Sequence, residues 1–306
     1  MDKVFGALAP VFLLIAIGWA VRASRLVGAE AFGTVNRFGY FVLYPAFLFL
    51  TVTQADLDAA TAWPFIFGVL AAFAAVATLT FATLPLSKNG PAFTSVFQGA
   101  LRWNGFAILA AADAIFGPGA RSLIGIIFGP SVLLNNVFSV AVLARWGAND
   151  REPTRGYILS QIAGNPLVLA CLAGLLVRLT GKQDFGVIGA TLDLLGDAAM
   201  PIALVCVGAG LDLGAARAAR QEVALSTILK LAAAPLIFYG AVRLFGGDAR
   251  SAAIACAIGA TPTAAASYTL AREMGGDARL MAAIVSVTTL ISFVTMPVAI
   301  LLALGP

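Results

Sequence analysis

The stretch Gln98-Gly99-Ala100-Leu101-Arg102-Trp103-Asn104-Gly105-Phe106 interrupts an apolar run over residues 92–116. A second run, 250–271, carries Ala257-Ile258-Gly259-Ala260-Thr261-Pro262-Thr263 at a matching depth. Thr261-Pro262 reads as a helix N-cap followed by proline at the first helical position, and Asn104-Gly105 plays the same part less sharply. Both runs therefore predict two half-helices, with second halves starting at Gly105 and at Thr261-Pro262-Thr263. A half-helix start leaves N–H groups unpaired and carries the positive end of the helix dipole, which suits an anion.

The composition places these breaks in lipid. Of 306 residues, 60% are hydrophobic and 11% charged, with mean hydropathy +0.95. A soluble domain carries about a quarter of its residues charged. Ten runs are long enough to cross a bilayer: 4–21, 35–54, 62–86, 92–116, 120–144, 157–179, 186–211, 222–245, 250–271 and 279–303. They do not alternate apolar and polar residues, so the expectation is helices and not an outer-membrane barrel. The separators are short and rich in charge or turn residues, leaving no room for a soluble domain. The first run follows only Asp2 and Lys3, and Arg22 and Arg25 stand where a small-residue cleavage site belongs. It is expected to be a retained helix.

Basic residues set the orientation. With the N-terminus outside, the inner side holds eleven: Arg22, Arg25, Arg37, Lys88, Arg145, Arg151, Arg155, Arg217, Arg220, Arg272 and Arg279. The outer side holds six, namely Lys3, Arg121, Arg178, Lys182, Arg243 and Arg250. Both termini are expected outside, in a bacterial cytoplasmic membrane. Ten runs divide into five and five, so the second half enters the bilayer upside down, an inverted repeat of residues 1–148 and 149–306. Pro45 in Tyr44-Pro45-Ala46 and Pro201 in Met200-Pro201-Ile202 echo one another, as do Pro130 and Pro297 less closely.

Several polar side chains fall inside these runs. Arg102, two residues before Asn104, has the planar fork for a carboxylate. Lys230 either balances the anion, pairs with an aspartate or reaches to the interface. Asp193 and Asp197, four apart, share a helix face, and two close carboxylates suit a proton carrier. Asp113 lies near the outer end of its run and suits a structural role. Asn165, the pair Asn135-Asn136 and Gln98 add amide groups whose default use is bonding between helices.

Other classes are excluded or weakened. The chain has no histidine, which removes His-based triads and His metal sites. Cys171, Cys206 and Cys256 lie in apolar runs at spacings that suit neither zinc nor disulfides. No metal, cofactor or nucleic acid is expected, since the basic residues form no run. Leu194-Leu195-Gly196-Asp197 is a partial match to an intramembrane aspartyl protease motif, but it lacks the first glycine and a Tyr-Asp partner. No stretch reads as a channel filter. The chain is read as a carrier and not an enzyme.

The whole chain also resembles the auxin efflux carrier family. The resemblance rests on Asn36-Arg37 with Leu43-Tyr44-Pro45-Ala46-Phe47-Leu48-Phe49, and on Gln98 to Phe106 around Arg102 and Asn104. It continues through Gly164-Asn165-Pro166-Leu167, Met200-Pro201-Ile202-Ala203-Leu204, Gly208-Ala209-Gly210-Leu211, Lys230 with Pro235, and Val287-Thr288-Thr289-Leu290 leading to Met296-Pro297. It implies an all-α membrane protein of ten transmembrane helices in two inverted five-helix repeats, with helices 4 and 9 broken and crossing, and elevator-type movement. It implies a small organic anion as substrate, an indole-acetate-like monocarboxylate or a malate- or malonate-like dicarboxylate. The long central loop of plant members is missing between Arg145 and Arg155, and Gly105 replaces a frequent second asparagine. The sodium–bile acid symporters are similar in architecture, but residues 250–271 offer no carboxylate for Na+. Sodium coupling therefore ranks below proton coupling or plain exit. Direction of transport and a homodimer stay open.

Overall fold

A computed structural model describes residues 2–55, 59–148, 164–181, 185–211 and 220–305. The described elements are helical, and seven helices are long and apolar enough to cross a membrane: Lys3–Ala23, Glu30–Thr53, Ala60–Leu86, Ala120–Trp146, Gly186–Ala209, Arg220–Leu244 and Ala278–Leu304. Each coincides with an expected run. The other three expected runs are helical but short or broken. Residues 92–116 become Gly90–Leu101, Gly105–Leu109 and Ala112–Phe116, and residues 250–271 become Ala249–Ala260 and Ala266–Glu273. The run expected over 157–179 is seen as Pro166–Leu179, its residues 157–163 lying outside the described set.

Two of these helices widen over one turn before a proline in the same way. Tyr44 N–H reaches back five residues to Gly39 O, and Ala234 N–H does so to Leu229 O. Each wide π turn ends immediately before a residue-proline pair, Tyr44-Pro45 and Ala234-Pro235. Proline has no N–H and its ring collides with the carbonyl four residues back, so the turn before it widens. Pro201 sits instead inside the uninterrupted Gly186–Ala209 helix. The expected echo between Pro45 and Pro201 is thus not matched in local structure.

The chain divides into two compact units, each drawn from both halves of the sequence. The first comprises residues 1–62, 106–133 and 161–210. Its helices approach through small residues. A side chain at Gly18 would collide with the Val205 carbonyl, and one at Gly208 with the Ile15 carbonyl, so Asp2–Ala23 and Gly186–Ala209 touch backbone to backbone. Arg22 closes that pair by donating to Ala209 O, one of the carbonyls a helix end leaves unpaired. Thr53 Oγ1 donates to Phe49 O at 2.8 Å and to Gly174 O at 3.4 Å, tying Tyr44–Thr53 to Pro166–Leu179.

The second unit comprises residues 63–105, 134–160 and 211–306. Its interior is built around the first halves of the two broken runs. Every residue from Ala92 to Leu101 and from Ser251 to Ala260 is buried. A helix that is apolar on all sides belongs inside a protein and not at its rim. Both begin with the same cap: Asn89 Oδ1 accepts from Ala92 N at 2.9 Å, and Asp248 Oδ1 from Ser251 N at 2.7 Å. The bond from Ser251 holds the Asp248 carboxyl below its ordinary range. Phe73 stacks edge-on against Phe238, with ring centroids 4.8 Å apart, and tilts against Trp103.

The backbone contact in the first unit predicts that Gly18→Val costs about 1–3 kcal/mol through overpacking. A thermal melt in detergent should show a lowered midpoint. Gly240→Ala, where a new Cβ meets nothing within 4 Å, should leave the midpoint unchanged or raised.

Candidate functional site

The site is made where two helices stop. Gly90–Leu101 ends with Arg102 N donating to Gln98 O at 2.9 Å, and Arg102 then turns to extended geometry, φ −75° and ψ 138°. Helix resumes at Gly105. Ala249–Ala260 ends at Thr261, whose backbone is also extended, φ −62° and ψ 151°.

Here the structure corrects the sequence reading. Thr261 closes the preceding helix and does not cap a following one. Its N–H and its Oγ1 both turn back to Ile258 O, at 3.3 and 2.8 Å. The reason is Pro262, which disfavours helical geometry in the residue before it. The next helix starts only at Ala266, with no side-chain cap on it. The Gly105 start is present as expected, though its helix runs just five residues to Leu109.

The two interruptions satisfy each other. Asn104 N donates to Pro262 O at 3.0 Å, and Thr263 Oγ1 donates to Gly99 O at 2.6 Å. Thr263 N donates to Thr288 Oγ1 at 3.2 Å, which bonds in turn to Ile284 O at 2.8 Å. Thr261, Pro262 and Thr263 are all buried, as are Trp103, Asn104 and Gly105. Arg102 is half-buried among them in sequence. Unpaired backbone inside a bilayer is stable only where protein or a cavity surrounds it, and these bonds supply that protein.

Side-chain atoms around the breaks are less satisfied than the backbone. Among the described residues, Gln98 Oε1 and Nε2, Asn104 Nδ2, Thr227 Oγ1 and Ser267 Oγ are buried without a hydrogen-bond partner. Asn135 Oδ1 and Ser139 Oγ, one turn apart on the Ala120–Trp146 helix, share this property. Buried polar atoms are rarely left unpaired in native proteins, and all of these belong to the second unit.

The remaining predicted residues divide clearly. Lys230 lies in the same unit, in the π turn Leu229–Ala233, and is 1% exposed. Full burial removes the option of reaching to the interface. Asp193 and Asp197 belong to the other unit, both exposed on Gly186–Ala209. Asn165 caps Pro166–Leu179, its Oδ1 accepting from Leu167 N at 3.0 Å and Val168 N at 3.3 Å. Among the described residues its Oδ1 bonds are local, within the helix it caps. Pro45 is half-buried and Pro201 exposed, both in the first unit. Asp113 accepts from Arg121 N at 2.9 Å and pairs with the Arg121 side chain at 3.6 Å, the structural role expected of it. The role of Ser226 went unread from sequence. Its Oγ donates to Val96 O at 3.4 Å and fills the space beside Gly99. A lone serine in an apolar run carries no signal of this.

Residues 155–300 match the protein family described as "Membrane transport protein". The chain is 26% identical over 303 residues to a protein of Rhizobium meliloti (strain 1021) named "Putative malonate transporter", covering 96% of this chain and 94% of that one. It is 22% identical over 293 residues to an "Uncharacterized transporter" of Methanothermobacter thermautotrophicus, with 94% of each covered.

The bond from Thr263 to Gly99 predicts that Thr263→Val lowers stability by about 1–3 kcal/mol, since a buried carbonyl loses its donor. Thr263→Ser should retain most of the wild-type midpoint in the same thermal melt.

Proposed function

We propose that this chain, which belongs to the membrane transport protein family of auxin efflux carriers, carries a small organic anion across the bacterial cytoplasmic membrane by alternating access. It is a membrane transporter and not an enzyme. The observation that carries the proposal is the pair of hydrogen-bonded helix interruptions, with Arg102 inside one of them and unpartnered amide and hydroxyl groups nearby. Arg102 keeps its charge at any pH and presents paired donors to a carboxylate. Asn104 Nδ2 and Gln98 Nε2 offer further donors. Gly105 leaves the backbone open to the guest, and Thr261, Pro262 and Thr263 form the opposite wall.

The name of the Rhizobium relative supports a dicarboxylate of the malonate type. An indole-acetate-like monocarboxylate remains the alternative within the same chemistry. Inverted five-helix repeats, 1–148 and 149–306, are supported by the matching caps. Thirteen residues after Asn89 and after Asp248 the chain leaves the helix, at Arg102 and at Thr261. In this reading the broken helices cross, both termini lie outside and the second unit moves as the carrier. The division into two compact units supports an elevator-type motion of that kind. The proposed coupling ion is the proton, because the second broken run has no carboxylate to hold sodium.

Purified protein should be stabilised against heat by malonate or by a monocarboxylate such as indole acetate. Arg102→Ala should keep its own melting midpoint but lose binding by at least about 30-fold, the size expected when one partner of a buried ion pair is removed. Unchanged binding would remove Arg102 from the site. Uptake into proteoliposomes should follow an imposed pH gradient. Asp197→Asn should keep that pH dependence, because the Asp197 side chain is exposed and belongs to the other unit. A flat profile in that variant would assign the proton to Asp197.

A further inference from the structure

We propose that Lys230 is the proton-carrying counter-charge of the anion site, neutral without substrate and protonated as a carboxylate binds, so that each anion brings one proton with it. The inference rests on the carrier reading above and assigns its coupling step to one residue.

The placement comes from two close contacts on one helix. Near the first break, Gly99 has no room for a side chain because Ser226 Oγ occupies the space. Near the second break, a Cβ on Gly259 would come within 2.9 Å of the Ala234 carbonyl. Gly99 lies three residues before Arg102, and Gly259 two before Thr261. Ser226, Lys230 and Ala234 follow at intervals of four and so lie on nearly one face. Lys230 is therefore set between the points where its helix touches each broken run. With 1% exposure its side chain stays inside the unit.

Nothing described in the protein neutralises it. Among the described residues Lys230 makes no hydrogen bond or ion pair. Its turn packs against Gly90–Leu101, Ala249–Ala260 and Ala278–Leu304 and continues into the helix on each side of it. Gly90–Leu101 has no titratable residue, and Arg102 follows it. Ala249–Ala260 has Arg250 and Cys256, with Asp248 at its cap, and the Cys256 thiol bonds to Ala299 O. Ala278–Leu304 has exposed Arg279, with Asp277 capping it through Leu280 N. On its own helix stand Arg220, Glu222, Tyr239 and Arg243. Glu222, two turns earlier, accepts from Lys88 N at 3.2 Å.

A buried ammonium without a counter-ion is costly, and no described group supplies one, so in this proposal the amine is neutral without substrate. Lysine can change state in this way, whereas the guanidinium of Arg102 cannot. A carboxylate entering beside Gln98 and Thr227 supplies the missing negative charge. The amine lone pair then takes a proton from the water on the side from which the anion came. The ammonium–carboxylate pair crosses together, and on the far side the anion departs and the proton returns to water. Proton and anion leave from the same face.

The test uses the purified full chain in detergent, with malonate and acetate as probes, above neutral pH where both stay ionised. Calorimetric titration in two buffers of different ionisation heat counts the protons taken up on binding. The wild type should take up about one proton per anion. The sign follows: binding raises the affinity of Lys230 for its proton, so affinity is full at lower pH and falls about tenfold per pH unit as pH rises. Lys230→Arg should bind with no proton uptake and a flat pH profile, and Lys230→Met should bind weakly throughout. Melting midpoints report whether the variants fold, and the wild-type proton count needs no variant. Wild-type binding without proton uptake, or a Lys230→Arg variant that keeps the slope, overturns the role of Lys230 while leaving the anion site standing. Failure of both probes to bind at any pH overturns the carrier reading as well.

Discussion

Inside a bilayer every backbone polar group has to find its partner within the protein. That constraint governs the two interrupted helices. A helix that ends in the middle of a membrane exposes carbonyls and N–H groups that water cannot reach. Here each interruption answers the other: Asn104 N–H to Pro262 O, and Thr263 Oγ1 to Gly99 O. The arrangement also explains why ten consecutive residues on each side, Ala92–Leu101 and Ser251–Ala260, are buried all round. In Ser251–Ala260 the side chains are mostly small, whereas Ala92–Leu101 also buries Phe93, Phe97 and Leu101.

Backbone bonds tie the two interruptions together, while several side-chain atoms beside them have no partner. Gln98, Asn104, Thr227 and Ser267 each keep a buried polar atom without a partner among the described residues. A packed core does not carry such groups without reason, because each costs about 1–3 kcal/mol when left unpaired. Backbone bonds join the two interruptions to one another, and polar side chains beside them keep atoms without a partner among the described residues.

Wide turns precede Pro45 and Pro235, and the second of them holds Lys230. Pro235 forces the widening, and the widening sets the register between Ser226 on one side and Ala234 on the other. Local backbone chemistry and the position of a charge are in this way linked through one residue that lacks an N–H.

The sequence by itself determined the class of protein and the position of its interruptions. Hydropathy and the lack of alternation fix membrane helices, because lipid-exposed surface must be apolar on every turn. Asn104-Gly105 and Thr261-Pro262 marked the breaks because each joins a capping side chain to a helix-disfavouring residue, whereas Pro201 alone leaves its helix uninterrupted. Tertiary structure decided how the breaks are closed. Thr261 folds back onto Ile258 O of its own helix, whereas the bonds of Pro262 and Thr263 to Asn104 and Gly99 join segments far apart in the chain. Tertiary structure also sorted the charges. Lys230, Asp193 and Asp197 look alike in a list of embedded ionisable residues, but burial separates the first from the other two. Burial depends on which helices pack against a given face, and that choice is made by residues far apart in the chain, which no local pattern encodes.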